Sequence, residues 1–208
     1  MSAGADAEIA AAYDARAAEY VALAGSIAQL DARDAAVIAA WRDSTAGVLL
    51  DAGCGPGQWT ELLGRGEREA WGIDLSPAFV ASARRRHPGI RFDVGSFRDL
   101  PPDDRSVGGI LAWYSLIHVP PAELPEVLAE FARVLVPGGS LLIGFFDGEP
   151  RESFAHAIAP AYFWSADALA AVLAETGFEV VSSESRGREP GEVSTRPHGS
   201  LIARSTPG

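Results

Sequence analysis

The sequence predicts an α/β domain with a mostly parallel sheet, and three observations predict it. Short apolar runs alternate with segments whose apolar residues recur at helical spacing, the pattern of strands joined by crossover helices. One run, Val48 to Leu50, passes into Asp51 and then into glycines at alternate positions, Gly53, Gly55 and Gly57, before a helix resumes over Gln58 to Leu63. A second run, Trp71 to Ile73, ends on Asp74, 23 residues after Asp51. Such glycines let the chain turn sharply and keep Cβ atoms out of a ligand's path. The helix N-terminus behind them favours an anionic or carboxylate-bearing ligand. An acid about 20 residues further on meets a ribose at the end of the second strand.

The elements follow in order. Residues Ala5 to Ala24 read as a helix with Ile9, Tyr13, Ala17 and Tyr20 along one face. A second helix is expected after Ser26, with Ile27, Leu30, Val37, Ile38 and Trp41 on its apolar face. Strands are expected near 47–51, 70–74, 90–94, 108–113 and 139–146. An amphipathic helix after Pro121 carries Leu124, Val127, Leu128, Phe131 and Leu135 and stops before Pro137-Gly138-Gly139, which breaks it. A further helix runs from Ser165, an N-cap residue, to Gly177, which suits the position after a helix end. Two last strands lie near 178–184 and 199–205, separated by a polar loop.

Composition excludes several function classes. At 208 residues the chain suits one domain with a sizeable core. No run approaches the ~20 apolar residues of a membrane span, and the start lacks the pattern of a signal peptide, so a soluble cytoplasmic protein with no membrane partner is expected. The net charge of −11 repels phosphate backbones, which disfavours a nucleic-acid partner. The compact basic run Arg84-Arg85-Arg86 ends a helix, where cations complement the dipole. All 17 cations are Arg, so lysine Schiff-base chemistry and a Walker-type lysine are absent. Four scattered His and a single Cys54 imply no metal site.

The V-L-L-D-A-G-C-G-P-G and W-G-I-D-L-S segments together resemble the class I S-adenosylmethionine-dependent methyltransferases of small-molecule type. The resemblance implies a Rossmann-like seven-stranded sheet with helices on both faces and the last strand antiparallel. It divides the chain into a helical cap over 1–45 and a cofactor-binding core over 46–208. The implied cofactor is S-adenosylmethionine, with Asp51, Gly53, Cys54 and Gly55 around the glycine loop and Asp74 and Leu75 at the ribose. Cys54 is expected to pack near the cofactor. Ser96 occupies the place of an acid that relatives use for the adenine amino group, and Phe97 would lie against the adenine face. Gly108-Gly109 stands where an acid commonly starts the fourth strand. Tyr13 and Tyr20 look like a segment that closes over the cofactor.

Ligands of an open α/β sheet lie beyond the carboxyl ends of the strands, near the switch point. Ala112, Trp113 and Tyr114 at the end of the fourth strand should therefore line the methionine part of the cofactor and the acceptor mouth. His118 just beyond is the first choice of general base, with Tyr114 second; an ordinary loop-closing His is the alternative. Residues 146–164 mix Phe154, His156, Tyr162, Phe163 and Trp164 with charges, as a lid over a small organic acceptor would. Arg186, Arg188, Arg196 and His198 could attract an acidic acceptor, offset by Glu189 and Glu192. The expected activity is methyl transfer to O, N or C of a small molecule by a monomer or homodimer. The alternatives are a non-methylating or regulatory cofactor binder, and a nucleotide-dependent oxidoreductase that the G-x-G-x-G spacing disfavours.

Overall fold

A computed structural model describes residues 2–187 and 196–206. The helices are α1 (Ser2–Ala24), α2 (Ala32–Ser44), α3 (Gln58–Leu63), α4 (Pro77–Arg86), α5 (Leu124–Val134) and α6 (Ala166–Glu175). The strands are β1 (Leu49–Ala52), β2 (Ala70–Asp74), β3 (Arg91–Val94), β4 (Val107–Trp113), β5 (Leu135–Phe146), β6 (Ser153–Phe154), β7 (Ala161–Tyr162), β8 (Phe178–Arg186) and β9 (His198–Ser205). Seven of them form one sheet in the order β3-β2-β1-β4-β5-β9-β8, with β9 antiparallel to both neighbours. β6 and β7 pair separately as a short ribbon. This is the Rossmann-like sheet with a reversed last strand that the sequence implies. Among the described residues no helix is long and apolar enough to cross a membrane.

Alternate side chains of the central strands enter different cores, as the period of two requires. Leu50, Ala52, Ile110, Ala112, Leu141 and Ile143 pack with α5 and α6. Leu49, Leu111 and Leu142 pack with Ile38 and Trp41 of α2 and with Trp59, Leu62 and Leu63 of α3. α5 contributes Leu124, Val127, Leu128, Phe131 and Val134, all essentially buried. Each such side chain stabilises the fold by roughly 1.5–3 kcal/mol. Phe131→Ala should therefore cost ~3–5 kcal/mol through lost burial plus a cavity. Urea denaturation checks this, and a loss under about 1 kcal/mol would mean that the site collapses onto the gap.

Three expected boundaries are corrected. The helix after Ser26 is two pieces, a 3-10 turn over Ile27–Gln29 and then α2, because the Asp31 side chain accepts from the Arg33 amide and starts a new helix. α1 begins at Ser2, three residues earlier than expected, its first turn running through Ser2, Ala3 and Gly4. α5 ends at Val134 and β5 begins at Leu135, running through Pro137-Gly138-Gly139. There the chain passes directly from helix to strand, with Leu135 paired to Val107 and a register shift before Gly109.

The sheet fixes the place of the site. β1 lies between β2 and β4, where the strand order reverses, and its carboxyl end opens the glycine loop. Gly57 ends that loop at a left-handed φ of 88° and caps α3. A Cβ on Gly57 would come within 2.9 Å of the Phe92 ring, so the loop packs tightly against β3.

Candidate active site

The glycine loop is stitched to β2. The Gly53 and Cys54 amides both donate to the Ile73 carbonyl, at 2.8 and 3.0 Å. The Gly55 amide donates to Asp74 Oδ2 and the Ser76 amide to Asp74 Oδ1, each at 2.8 Å. Asp74 is thereby fixed at the end of β2, and each carboxylate oxygen keeps a further lone pair. Burial, opposed by these two amides and reinforced by nearby Asp14, pushes its pKa up to about 6.

α1 lies across this floor and is held by polar contacts at intervals. Asp14 Oδ1 accepts from Ser76 Oγ and from the Ala78 amide, at the N-terminus of α4. Asp6 accepts from Ser96 Oγ at 2.7 Å and from Arg98 Nε at 3.2 Å. Arg16 donates to the Ala157 carbonyl of the 146–164 segment. The Tyr13 and Tyr20 rings contact one another and Phe79 of α4. Tyr20 remains 38% exposed.

The far end is built by the residues after β4. Trp113 Nε1 donates to Asp34 of α2 at 3.3 Å. Tyr114 has a left-handed φ of 53°, a strained conformation of the kind found at functional sites. Its hydroxyl lies 2.6 Å from His198 Nδ1. His118, in the 3-10 turn over Leu116–His118, is 8% exposed. Its Nδ1 lies 2.9 Å from the Pro160 carbonyl, and its Nε2 lies 3.0 Å from the Tyr13 hydroxyl. Burial lowers its pKa below the usual histidine value, partly opposed by the Pro160 carbonyl.

One cavity joins these parts. It is lined by Tyr13, Tyr20, Gly53, Gly55, Asp74, Leu75, Phe97, Trp113, Tyr114 and His118 among the residues singled out from sequence. Four others are placed elsewhere. Asp51 is 1% exposed and accepts from the Thr60 hydroxyl of α3 at 2.7 Å. Cys54 turns into a small core with Val80, Ala83 and Phe92, and burial raises its thiol pKa well above normal. The Ala112 side chain packs in the α5 and α6 core. Ser96 spends its hydroxyl on Asp6. Sequence reasoning missed Asp6, Ile9, Phe79, Arg98, Ser115 and Val119 as lining residues. Asp6 shares the face of α1 that carries Ile9 and Tyr13, at i, i+3 and i+7, which was a legible signal.

Residues 146–164 contain the β6–β7 ribbon, and Phe146, Phe154, Phe163, Tyr114 and Ile117 share one apolar cluster. Arg196 lies over the Phe154 ring at 4.2 Å, and Arg186 pairs with Asp31 and Asp34. Arg188, Glu189 and Glu192 lie outside the described residues.

Burial pushes the Asp51 pKa up to about 7, with the Thr60 hydroxyl opposing and Asp74 adding to the rise. Its folded value thus exceeds the unfolded value of about 3.9. Folding then favours the protonated acid, and this contribution is present below pH ~4 and lost as pH rises through about 7. Asp51→Asn should flatten the fall in Tm of the cofactor-free protein across that window. Parallel profiles for variant and wild type would contradict it.

Residues 49–139 match the family model described as a methyltransferase domain. Over that stretch the chain is similar to S-adenosylmethionine-dependent methyltransferases. The trans-aconitate 2-methyltransferase of Methylobacterium nodulans is 39% identical over 100 residues, covering 46% of this chain and 36% of that protein. The chain spans less than half the length of the first curated relatives that it matches. A didemethyltoxoflavin N1-methyltransferase from Burkholderia thailandensis, solved with its substrate and S-adenosylhomocysteine, superposes with a TM-score of 0.74 at 24% identity. That match covers 95% of this chain and 89% of the other. The [4+2]-cyclase SpnF superposes with a TM-score of 0.80 at 20% identity, over 98% and 97% of the two chains.

The methyltransferases that the chain resembles use S-adenosylmethionine, and the residues present fit that cofactor. A Cβ on Gly55 would enter open space at the cavity, so the loop presents bare backbone there. Ser115 Oγ and Arg98 Nη1, on two lining residues, are buried without a hydrogen-bond partner in the protein. Such orphaned groups are matched by a polar ligand.

Proposed function

We propose that the protein moves a methyl group from S-adenosylmethionine to an O, N or C atom of a small organic molecule. The observation that carries this is the Asp74 carboxylate, fixed by the Gly55 and Ser76 amides beside a glycine that leaves the cavity open. In this reading Asp74 accepts from the ribose hydroxyls, a charge-assisted pairing. Gly53 and Gly55 let the backbone approach the amino-acid part, and Phe97 faces the adenine. Asp6 takes over from Ser96 as the acceptor for the adenine amino group, since it brings a carboxylate from α1 to the place where the third strand has only a hydroxyl.

When bound, the cofactor supplies an already activated methyl carbon, so the protein's task is chiefly alignment and exclusion of water. Positioning of that kind can supply ~7–11 kcal/mol of a barrier. Trp113 and Tyr114 wall the acceptor end, and their ring faces favour positive charge. The 1–45 segment acts as the cap, and the 146–164 segment covers the acceptor. No inserted substrate domain interrupts the sheet of the described residues, which favours a small acceptor over a macromolecule.

Fold alone does not fix the reaction, because a cyclase shares it. Release of S-adenosylhomocysteine, measured with a panel of phenols, alcohols, amines and carboxylic acids, tests the proposal. Release that depends on one acceptor supports methyl transfer. Tight cofactor binding with no release from any of them would favour the non-methylating alternative.

A further inference from the structure

The Tyr13 hydroxyl and the His118 ring form a pair that cofactor binding alone does not require. Their 3.0 Å contact joins α1 to the turn after β4, 105 residues apart in the chain. The Pro160 carbonyl can only accept, so His118 Nδ1 carries the hydrogen of that 2.9 Å bond. In the neutral ring Nε2 is then bare, and the Tyr13 hydroxyl donates to it. We propose that Tyr13 carries the proton of a hydroxyl or ammonium acceptor to His118, so that the site takes acceptors that bring a proton rather than carboxylates. The proposal rests on the methyltransferase reading above.

The cations near this end of the cavity are each bound to other groups. Arg98 lines the same cavity, but its guanidinium is paired with Asp6 and Glu123, and the lining residues around the pair, Trp113, Tyr114, Ser115 and Val119, carry no charge. Burial lowers the pKa of His118, and the neighbouring His156 ring, with its centroid 5.1 Å away, is held down to about 4 by burial and by His118, Arg196 and Arg16. Both rings are therefore neutral at pH 7. Arg16 is bound to Glu19 and to the Ala157 carbonyl, while Arg196 lies over Phe154. On the other side, Asp74 and Tyr20 face Tyr13, and burial together with these groups raises the phenol's pKa. Tyr13 is thus no free base; it releases its own proton as it receives another. A carboxylate acceptor would meet neutral rings and the Asp74 charge, and it would bring no proton for the pair to remove.

The proton balance is simple. A hydroxyl acceptor gives its proton to Tyr13 Oη as an oxygen lone pair takes the methyl group from the sulfonium donor; an ammonium gives its proton to Tyr13 Oη first, and the nitrogen lone pair so freed takes the methyl group. The original Tyr13 proton moves to His118 Nε2, while Nδ1–H stays on the Pro160 carbonyl. The imidazolium returns its proton to water after the methylated product leaves.

Tyr13→Phe keeps the ring that packs on Tyr20 and Phe79 and removes only the hydroxyl. Nitrogen-15 NMR of the His118 ring in the cofactor-free protein should show a Nδ1–H tautomer in wild type. The Nε2 resonance should move downfield in Tyr13→Phe as its hydrogen bond is lost. With phenol, alcohol and amine probes beside trans-aconitate as the carboxylate probe, release of S-adenosylhomocysteine should occur with a proton-bearing probe. Tyr13→Phe should lower that kcat by ~100-fold or more, the scale of a lost general base, with cofactor affinity changed by less than about threefold. Tyr13→Phe/His118→Gln should be no slower than the slower single variant, because the two act as a unit. The proposal is overturned if Nε2 is unmoved, if the single effects multiply, or if wild type turns over trans-aconitate as readily as a proton-bearing probe. Failure of every probe with wild type, despite cofactor binding, would instead sink the methyltransferase reading, and the ring spectrum would still judge the pair.

Discussion

His118→Ala should lower the rate of methyl transfer to a proton-bearing acceptor by ~100–10,000-fold, the range of a lost general base, and leave cofactor affinity nearly unchanged. The ring is buried, its tautomer is fixed by Pro160, and its Nε2 faces the Tyr13 hydroxyl inside the cavity. His118→Gln can hydrogen-bond but cannot take up a proton near neutral pH, so it should be almost as slow. The lowered pKa of His118 puts the acid limb of kcat/KM below the usual histidine value near 6.5. Below that limb the base is already protonated and the rate falls; above it the rate is level. Steady-state kinetics across pH check both statements. A Gln variant close to wild type would mean that the ring only anchors the turn to Pro160.

Gly53→Val should abolish cofactor binding and destabilise the fold together. Gly53 has a φ of 84°, in the left-handed region that β-branched residues avoid, and a Cβ there would lie 2.3 Å from Ser115 Cβ. Gly53 cannot retreat easily, because its amide is tied to the Ile73 carbonyl. Gly55→Ala separates the two effects. A Cβ at Gly55 meets nothing within 4 Å, so although its left-handed φ of 53° costs the variant about 1–2 kcal/mol, no steric clash adds to that, and affinity falls where the methyl group enters ligand space. Thermal denaturation and calorimetry on the two variants test the contrast. Equal affinity for wild type and Gly55→Ala would remove the loop from the cofactor site.

The sheet was legible because its signals are local. β1, β2 and β4 are short apolar runs with defined ends, and the glycines and Asp74 follow at spacings that only a few folds use. Helix limits were less legible where tertiary contacts decide them. Asp31 restarts a helix that periodicity alone would extend, and β5 begins four residues early because Leu135 pairs with Val107. In the cavity, Gly53 and Gly55 of the glycine loop and Asp74 at the end of β2 lie where their motifs place them. Direction of side chains was harder to read. Cys54 and Ala112 occupy the right stretch of chain yet point into cores, and Asp51 points to Thr60. The contribution of α1 was read through its tyrosines, while its carboxylates at Asp6 and Asp14 escaped notice. Their partners, Ser96, Arg98 and Ser76, are distant in sequence, and no local pattern announces such pairs.

The central claim is that Asp74 and the glycine loop hold S-adenosylmethionine. Isothermal titration of wild type and Asp74→Ala with S-adenosylmethionine tests it most directly, with circular dichroism confirming that both are folded. The expected result is one site per chain in wild type and a loss of ~1.5–3 kcal/mol in Asp74→Ala, the worth of a hydrogen bond to a charged group. Absence of binding to wild type, or equal affinity for the two proteins, would contradict it.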